Sequence, residues 1–279
     1  MATDIIQGPI GVFDSGYGGL TVLKEIVREL PAYDYLYLGD NARTPYGTRS
    51  FDTVYHYTLE CVTHLFEMGC PLIILACNTA SAKALRTIQQ NDLPRLYPDR
   101  RVLGVIRPTT EILGQYTRTR EVGILGTAGT VASESYPIEI AKFFPDIKVF
   151  QQACPMWVPL VESGESDGPG ANYFVEKYLR EIMARSAGID TLVLGCTHYP
   201  LLAPKIRQYV PKHMNIVSQG DIVARSLADY LLRHPEVEER CSRKGKLTFY
   251  TTDEEAAFER LAGIFFDQAL KANHLSVSR

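Results

Sequence analysis

The chain has 279 residues, 46% of them hydrophobic and 22% charged, proportions of a globular protein built as one large domain or two medium ones. Its formal net charge of −3, with no lysine or arginine block, gives no footprint for nucleic acid. No apolar run approaches the ~18 residues that a membrane crossing needs, so no membrane partner is expected.

The opening MATDIIQGPIGVF lacks the basic and long apolar regions of a secretory signal, and a cytoplasmic location is the expectation. The first strand reads as IGVFD (10–14), followed by a helix in which Val22, Leu23, Ile26, Val27 and Leu30 recur at helical spacing. YLYLGD (35–40), PLIILAC (71–77) and VLGVI (102–106) are further strands, with helical patterns over 51–68 and 80–90. A second series runs EVGILGT (121–127), a helix over 132–144, IKVFQQA (147–153), a helix over 172–186 and TLVLGC (191–196). SGESDGPGA (163–171) reads as a loop, either a lid or a plain surface turn. The tail adds NIVS (215–218), a helix from Asp221, KLTFYTT (246–252) and a last helix from Asp253.

Apolar strands alternating with helices predict a parallel α/β architecture. The two series also look like one unit used twice. IGVFDSGYGG and VGILGTAGTV share the order strand, polar residue, glycine-rich turn, with Gly11 and Gly123 112 positions apart. Two similar α/β lobes related by pseudo-symmetry, with the active site in the cleft between them, are therefore expected. The predicted division gives residues 1–101 and 212–279 to the first lobe and 102–211 to the second.

Each series carries a strand that ends in a cysteine: LACNTASA around Cys77 and LGCTHYP around Cys196, 119 positions apart. In open parallel sheets ligands bind where strands end and helices begin. A lone cysteine is most often a small buried hydrophobe. Two in matched corners are harder to ascribe to packing, because unpaired N–H groups at a helix start stabilise a thiolate and lower its pKa. The other cysteines, Cys61, Cys70, Cys154 and Cys241, complete a set too sparse for a disulfide scaffold, and without a CxxC pair no metal site is expected.

Other chemistries fit less well. GYGGLT (16–21) has Thr21 where a dinucleotide loop needs its third small residue, and no P-loop, HExxH or GxSxG occurs. A Cys196–His198 hydrolase pair would leave Cys77 without a role. Inverting a hydrogen-bearing stereocentre, by contrast, needs one group that removes a proton from one face and another that delivers one to the opposite face. Each must serve as both acid and base, which a matched pair of thiols can do.

GVFDSGYGGLTVL, PYG (45–47), ACNTASA, GILGTAGTVAS, CPMWVPLVE (154–162) and GCTHYP, in this order over nearly the whole chain, resemble the cofactor-independent amino-acid racemases that act on glutamate. The resemblance implies two similar lobes with the substrate between them, the first completed by the C-terminal segment. It implies glutamate as substrate, no pyridoxal phosphate and no metal, and a supply of D-glutamate for peptidoglycan, in a chain for which a homodimer stays open. It further implies Cys77 and Cys196 as the acid–base pair, the first working on D-glutamate and the second on L-glutamate. Asp14, Ser15, Tyr46, Gly47, Asn78, Thr79, Thr130, Thr197 and His198 fall at substrate contacts, and Asp14, Glu162 and His198 at the polar positions that tune the thiols.

Plainer roles suit several of these residues. Asp14, Ser15 and Asn78 could serve as helix caps, Tyr46 as a turn residue, Glu162 as a solvated helix-end carboxylate and His198 as a structural histidine. Arg107 stands where the family pattern leads to a glutamate, a departure at the crossing between lobes. Two rival readings remain: an aspartate-preferring relative, and a two-lobed protein that binds a small acid without changing it.

Overall fold

The computed structural model describes residues 6–277. The first sheet is built from β1 (Ile10–Asp14), β2 (Tyr35–Gly39), β3 (Leu72–Leu75), β4 (Arg101–Gly104), β9 (Leu247–Thr251) and β10 (Ala272–His274), and the second from β5 (Glu121–Gly126), β6 (Lys148–Ala153), β7 (Thr191–Gly195) and β8 (Asn215–Val217). All neighbouring strands are parallel, and the spatial orders are β10-β9-β2-β1-β3-β4 and β6-β5-β7-β8. The middle of the first sheet, β2-β1-β3-β4, therefore repeats the wiring of the second, β6-β5-β7-β8. The expected pseudo-symmetry is present strand for strand.

Local sequence explains the strands. β1, β2, β3 and β7 are buried along their whole length, as strands covered on both faces by helices must be, and they read as continuous apolar runs. The helix Leu20–Glu29 turns Leu20, Val22, Leu23 and Ile26 inward and packs on Gly220–Arg233, which buries Ile222, Val223, Leu227 and Leu231. Each such side chain contributes about 1.5–3 kcal/mol by leaving water. One apolar cluster runs from Ile10 and Leu20 to Trp157, Tyr178 and Leu192, so the lobes share a core.

The strands at the expected borders lie in the sheets opposite to those predicted. β4 pairs with β3, Leu72 to Leu75 against Arg101 to Gly104, and so belongs to the first sheet. β8 pairs with β7, Thr191 to Val193 against Asn215 to Val217, and belongs to the second. A short apolar run announces a strand but not which edge it joins; here each run closes the free edge beside the cysteine-bearing strand. The chain thus crosses between sheets just after Gly104 and just after Val217. The helix predicted over 132–144 is two pieces, Ala128–Ala132 and Ser135–Phe143, broken at Glu134, whose φ of 55° is left-handed.

Candidate active site

The two cysteines stand at equivalent points, after β3 and after β7, next to the central strands β1 and β5. This is where the strand order reverses direction in each sheet, the usual ligand crevice of an open parallel fold. Each is 6% exposed.

Cys77 is the N-cap of the helix Asn78–Lys83, and its Sγ accepts from the Ala80 N–H at 3.4 Å. Ser15, from the turn after β1, places its Oγ 3.4 Å from the same sulfur. Asp14 lies at the end of β1, with Oδ2 accepting from the Gly16 N–H at 2.9 Å and Oδ1 buried without a hydrogen-bond partner. It caps no helix. Burial raises the Asp14 pKa, and burial together with the Asp14 charge pushes the Cys77 thiol from 9.0 up to about 12. This corrects the expectation of a depressed thiol: the Ser15 and Ala80 donors oppose the shift, but desolvation outweighs them.

The second corner is built differently. His198 Nδ1 lies 3.9 Å from Cys196 Sγ, and His198 Nε2 lies 2.9 Å from Glu162 Oε1. Glu162 ends the helix Trp157–Glu162, and the loop predicted at 163–171 follows directly but is shorter, covering 163–168, because the helix Pro169–Met183 begins at its Pro-Gly-Ala end and buries Ala171. Burial alone would push the imidazole down, but its hydrogen bonds to Cys196 and Glu162 raise it from 6.5 to about 10. Both partners favour its cationic form at neutral pH. Phe265, from the last helix Glu255–Phe266, sets its ring edge-on to the imidazole at 5.2 Å.

The glycine-rich turn after β1 serves this second corner. A Cβ added to Gly18 would fall 2.3 Å from Thr197 Oγ1 and 2.4 Å from His198 Nδ1, so only glycine lets the first-lobe backbone approach so closely. Thr21 Oγ1 donates to the Thr197 carbonyl at 2.9 Å. The sequence resembles a dinucleotide loop because both need bare backbone; here the backbone meets a neighbouring corner.

Between the corners lies a cluster of three hydroxyls. Thr79 Oγ1 is 2.9 Å from Thr127 Oγ1 and 3.3 Å from Thr130 Oγ1, joining the first turns of two helices from opposite lobes. The Tyr46–Thr48 turn packs on the same place, with an added Gly47 Cβ falling 3.0 Å from Thr127 Cβ. The Tyr46 hydroxyl donates to Asp40 Oδ2, so the turn offers a ligand its backbone and not its phenol. Asn78 is likewise spoken for: its Nδ2 donates to Gln219 Oε1 at 2.7 Å and its Oδ1 accepts from the Tyr136 hydroxyl at 2.8 Å. The backbone N–H groups of Asn78 and Thr79, at a helix start, have no intrahelical acceptor.

A family model described as Asp/Glu/Hydantoin racemase matches residues 10–227. The chain belongs to this family. A glutamate racemase of Geobacter metallireducens is 42% identical over 257 residues, covering 92% of both chains. The crystal structure of the glutamate racemase isoform RacE1 from Bacillus anthracis has a TM-score of 0.87 at 32% identity, covering 96% of this chain and 97% of that one. The glutamate racemase of Francisella tularensis subsp. tularensis, solved in complex with D-glutamate, has a TM-score of 0.86 at 28% identity, covering 99% of each.

The racemase fold thus gathers Asp14, Ser15, Cys77 and Thr79 from one lobe with Thr130, Glu162, Cys196, Thr197 and His198 from the other. Three residues of the assembly were not singled out from the sequence. Thr127 had a usable signal: it stands 112 positions after Ser15, the same offset that relates Gly11 to Gly123. Gln219 and Tyr136 had none, because their partners are remote in sequence. Arg107 pairs with Glu111 at 2.7 Å on an exposed helix face and stacks over Phe143 at 5.4 Å, apart from both thiols. The remaining cysteines pack in apolar clusters.

Proposed function

We propose that this chain is a glutamate racemase that interconverts L- and D-glutamate by proton transfer between Cys77 and Cys196, supplying D-glutamate for peptidoglycan synthesis. The observation that carries the reading is the duplicated corner: two thiols of equal exposure, one after the third strand of each lobe. A binding protein has no use for that pair.

In the direction from D-glutamate, the Cys77 thiolate takes the α-proton and the electron pair passes into the adjoining carboxylate. Cys196 as thiol then gives its proton to the opposite face. The products are L-glutamate, a Cys77 thiol and a Cys196 thiolate, and the reverse reaction starts from this state. Charge that builds on the substrate carboxylate is met by the N–H groups of Asn78 and Thr79 and the hydroxyls of Thr79 and Thr130. Ser15 and the Tyr46–Gly47 backbone hold the substrate on the first-lobe side, Thr197 on the second.

The resting Cys77 thiol sits too high to ionise unaided at neutral pH. An α-ammonium group bound near the unpartnered Asp14 Oδ1 supplies the missing positive charge, so substrate helps to create its own base. On the other side the His198 cation, held by Glu162, can donate to Cys196 when that sulfur carries the charge.

No cofactor or metal enters these steps. We place the reaction in the cytoplasm, where reducing conditions keep six cysteines as thiols. Aspartate, one methylene shorter, is discriminated by roughly 1–3 kcal/mol in a pocket of this kind.

Incubation with L-glutamate in deuterium oxide tests the reading. Optical rotation should decay to zero while deuterium enters the α-position, and L-aspartate should react far more slowly. Binding of glutamate without rotation loss or exchange would make the chain a binding module instead.

A further inference from the structure

Both chain crossings between the lobes are gripped by one side chain. Gln219 follows β8 and starts the helix Gly220–Arg233, at the second crossing. Its Nε2 donates to the carbonyl of Val105 at 3.0 Å, the residue that follows β4 at the first crossing, and is shared with Thr109 Oγ1 at 3.2 Å. The same amide reaches both thiol corners. Its Oε1 accepts from Asn78, the neighbour of Cys77, and its Nε2 also donates to the Tyr136 hydroxyl at 2.9 Å. Tyr136 in turn lies against the second corner: a Cβ added to Gly195, the residue before Cys196, would fall 3.1 Å from the Tyr136 ring. The Tyr136 hydroxyl closes the circuit by donating to Asn78 Oδ1.

We infer that Gln219 is a positioning residue that locks the two crossings together and sets the distance and facing of the Cys77 and Cys196 corners. Three observations converge on this. Gln219, Asn78, Tyr136 and Thr109 are all buried, so the polar circuit is paid for in desolvation that an apolar filling would avoid. Every side-chain polar atom of Gln219, Asn78 and Tyr136 has a partner within it. Its two arms end on the residue after one thiol and the residue before the other. Hydrophobic packing would hold the lobes together equally well, but it would not fix register to the tolerance that proton transfer between two opposed sulfurs requires.

The inference rests on the two-thiol reading, and the experiment separates the two. Gln219→Met keeps the length and apolar bulk and removes the hydrogen bonds; Tyr136→Phe removes one hydroxyl from the same circuit. Each is assayed for kcat, KM and the α-deuterium isotope effect with both glutamate enantiomers, at a temperature well below its Tm.

A displacement of the thiols by an ångström costs about 100-fold. Gln219→Met should lose kcat on that scale with KM changed less than about threefold, and the isotope effect should rise for both enantiomers, since both corners lose register. The double variant should fall little below Gln219→Met, because both changes break one circuit. A folded Gln219→Met with unchanged kcat, or effects that add in the double variant, would overturn the positioning role while leaving the racemase reading intact. If Gln219→Met does not fold, Tyr136→Phe decides alone: loss of kcat at constant KM supports the circuit, and unchanged kcat refutes it. A wild-type protein that exchanges no α-hydrogen would remove the reading and the inference together.

Discussion

His198 Nε2 lies 2.9 Å from Glu162 Oε1, joining the residue two places after Cys196 to the end of a helix 36 positions earlier. A carboxylate that could have been only a solvated helix end thereby becomes the partner of a buried imidazolium. The two corners, alike in wiring, differ here in charge. Cys196 has a cation beside it; Cys77 has a hydroxyl and, through Asp14, a negative charge.

The charge around Cys77 gives a pH dependence. A thiol raised from 9.0 to about 12 is protonated in the free protein over the whole working range. The thiolate, which is the nucleophile, amounts to roughly one part in ten thousand at pH 8. Alkylation of Cys77 by iodoacetamide, followed by mass spectrometry, should rise about tenfold per pH unit between 8 and 10 without levelling. A plateau below pH 9 would mean that the folded site favours the anion, and the account of substrate-assisted ionisation would be wrong.

The thiols themselves are tested by removing their acidity. A hydroxyl is a far weaker acid, so Cys77→Ser and Cys196→Ser should each lower racemisation at least about a thousandfold, ~4 kcal/mol of barrier. Both variants should still bind glutamate, since the N–H groups and threonine hydroxyls remain. Turnover near that of the wild type in either one would remove that sulfur from the mechanism.

The fold and the two corners were legible because their signals are local. Buried strands are unbroken apolar runs, and Cys77 and Cys196 each follow one. What escaped was set by tertiary structure. The strands at 102–104 and 215–217 gave no hint of which sheet edge they would join. Asn78 could be matched to a substrate contact, but Gln219 and Tyr136, its partners, lie 141 and 58 positions away, and no local pattern links them. The Cys77 environment misled for the same reason. Its helix start is visible in ACNTASA, whereas the desolvation that raises its pKa comes from every element packed around it. Thr127 is the one omission that the internal repeat could have supplied.

The asymmetry between the corners yields a directional prediction. His198→Asn removes the cation in contact with Cys196, whereas at the Cys77 corner it breaks no hydrogen bond and only withdraws a charge felt by Asp14. The step in which Cys196 acts as base should therefore slow more than the step in which Cys77 does. L- and D-glutamate have equal free energy, so kcat/KM must stay equal in both directions for any variant. Asymmetry can therefore appear only in kcat and KM taken separately, or in isotope effects. If Cys196 works on the L enantiomer, the isotope effect with α-deuterated L-glutamate should grow toward its intrinsic value in His198→Asn, while that with α-deuterated D-glutamate changes little. Glu162→Gln should shift the same quantity in the same direction by a smaller amount, because the imidazole stays but loses the carboxylate that holds its proton. Equal growth for both enantiomers would show that His198 acts on a species common to both directions, and its assignment to Cys196 would fail.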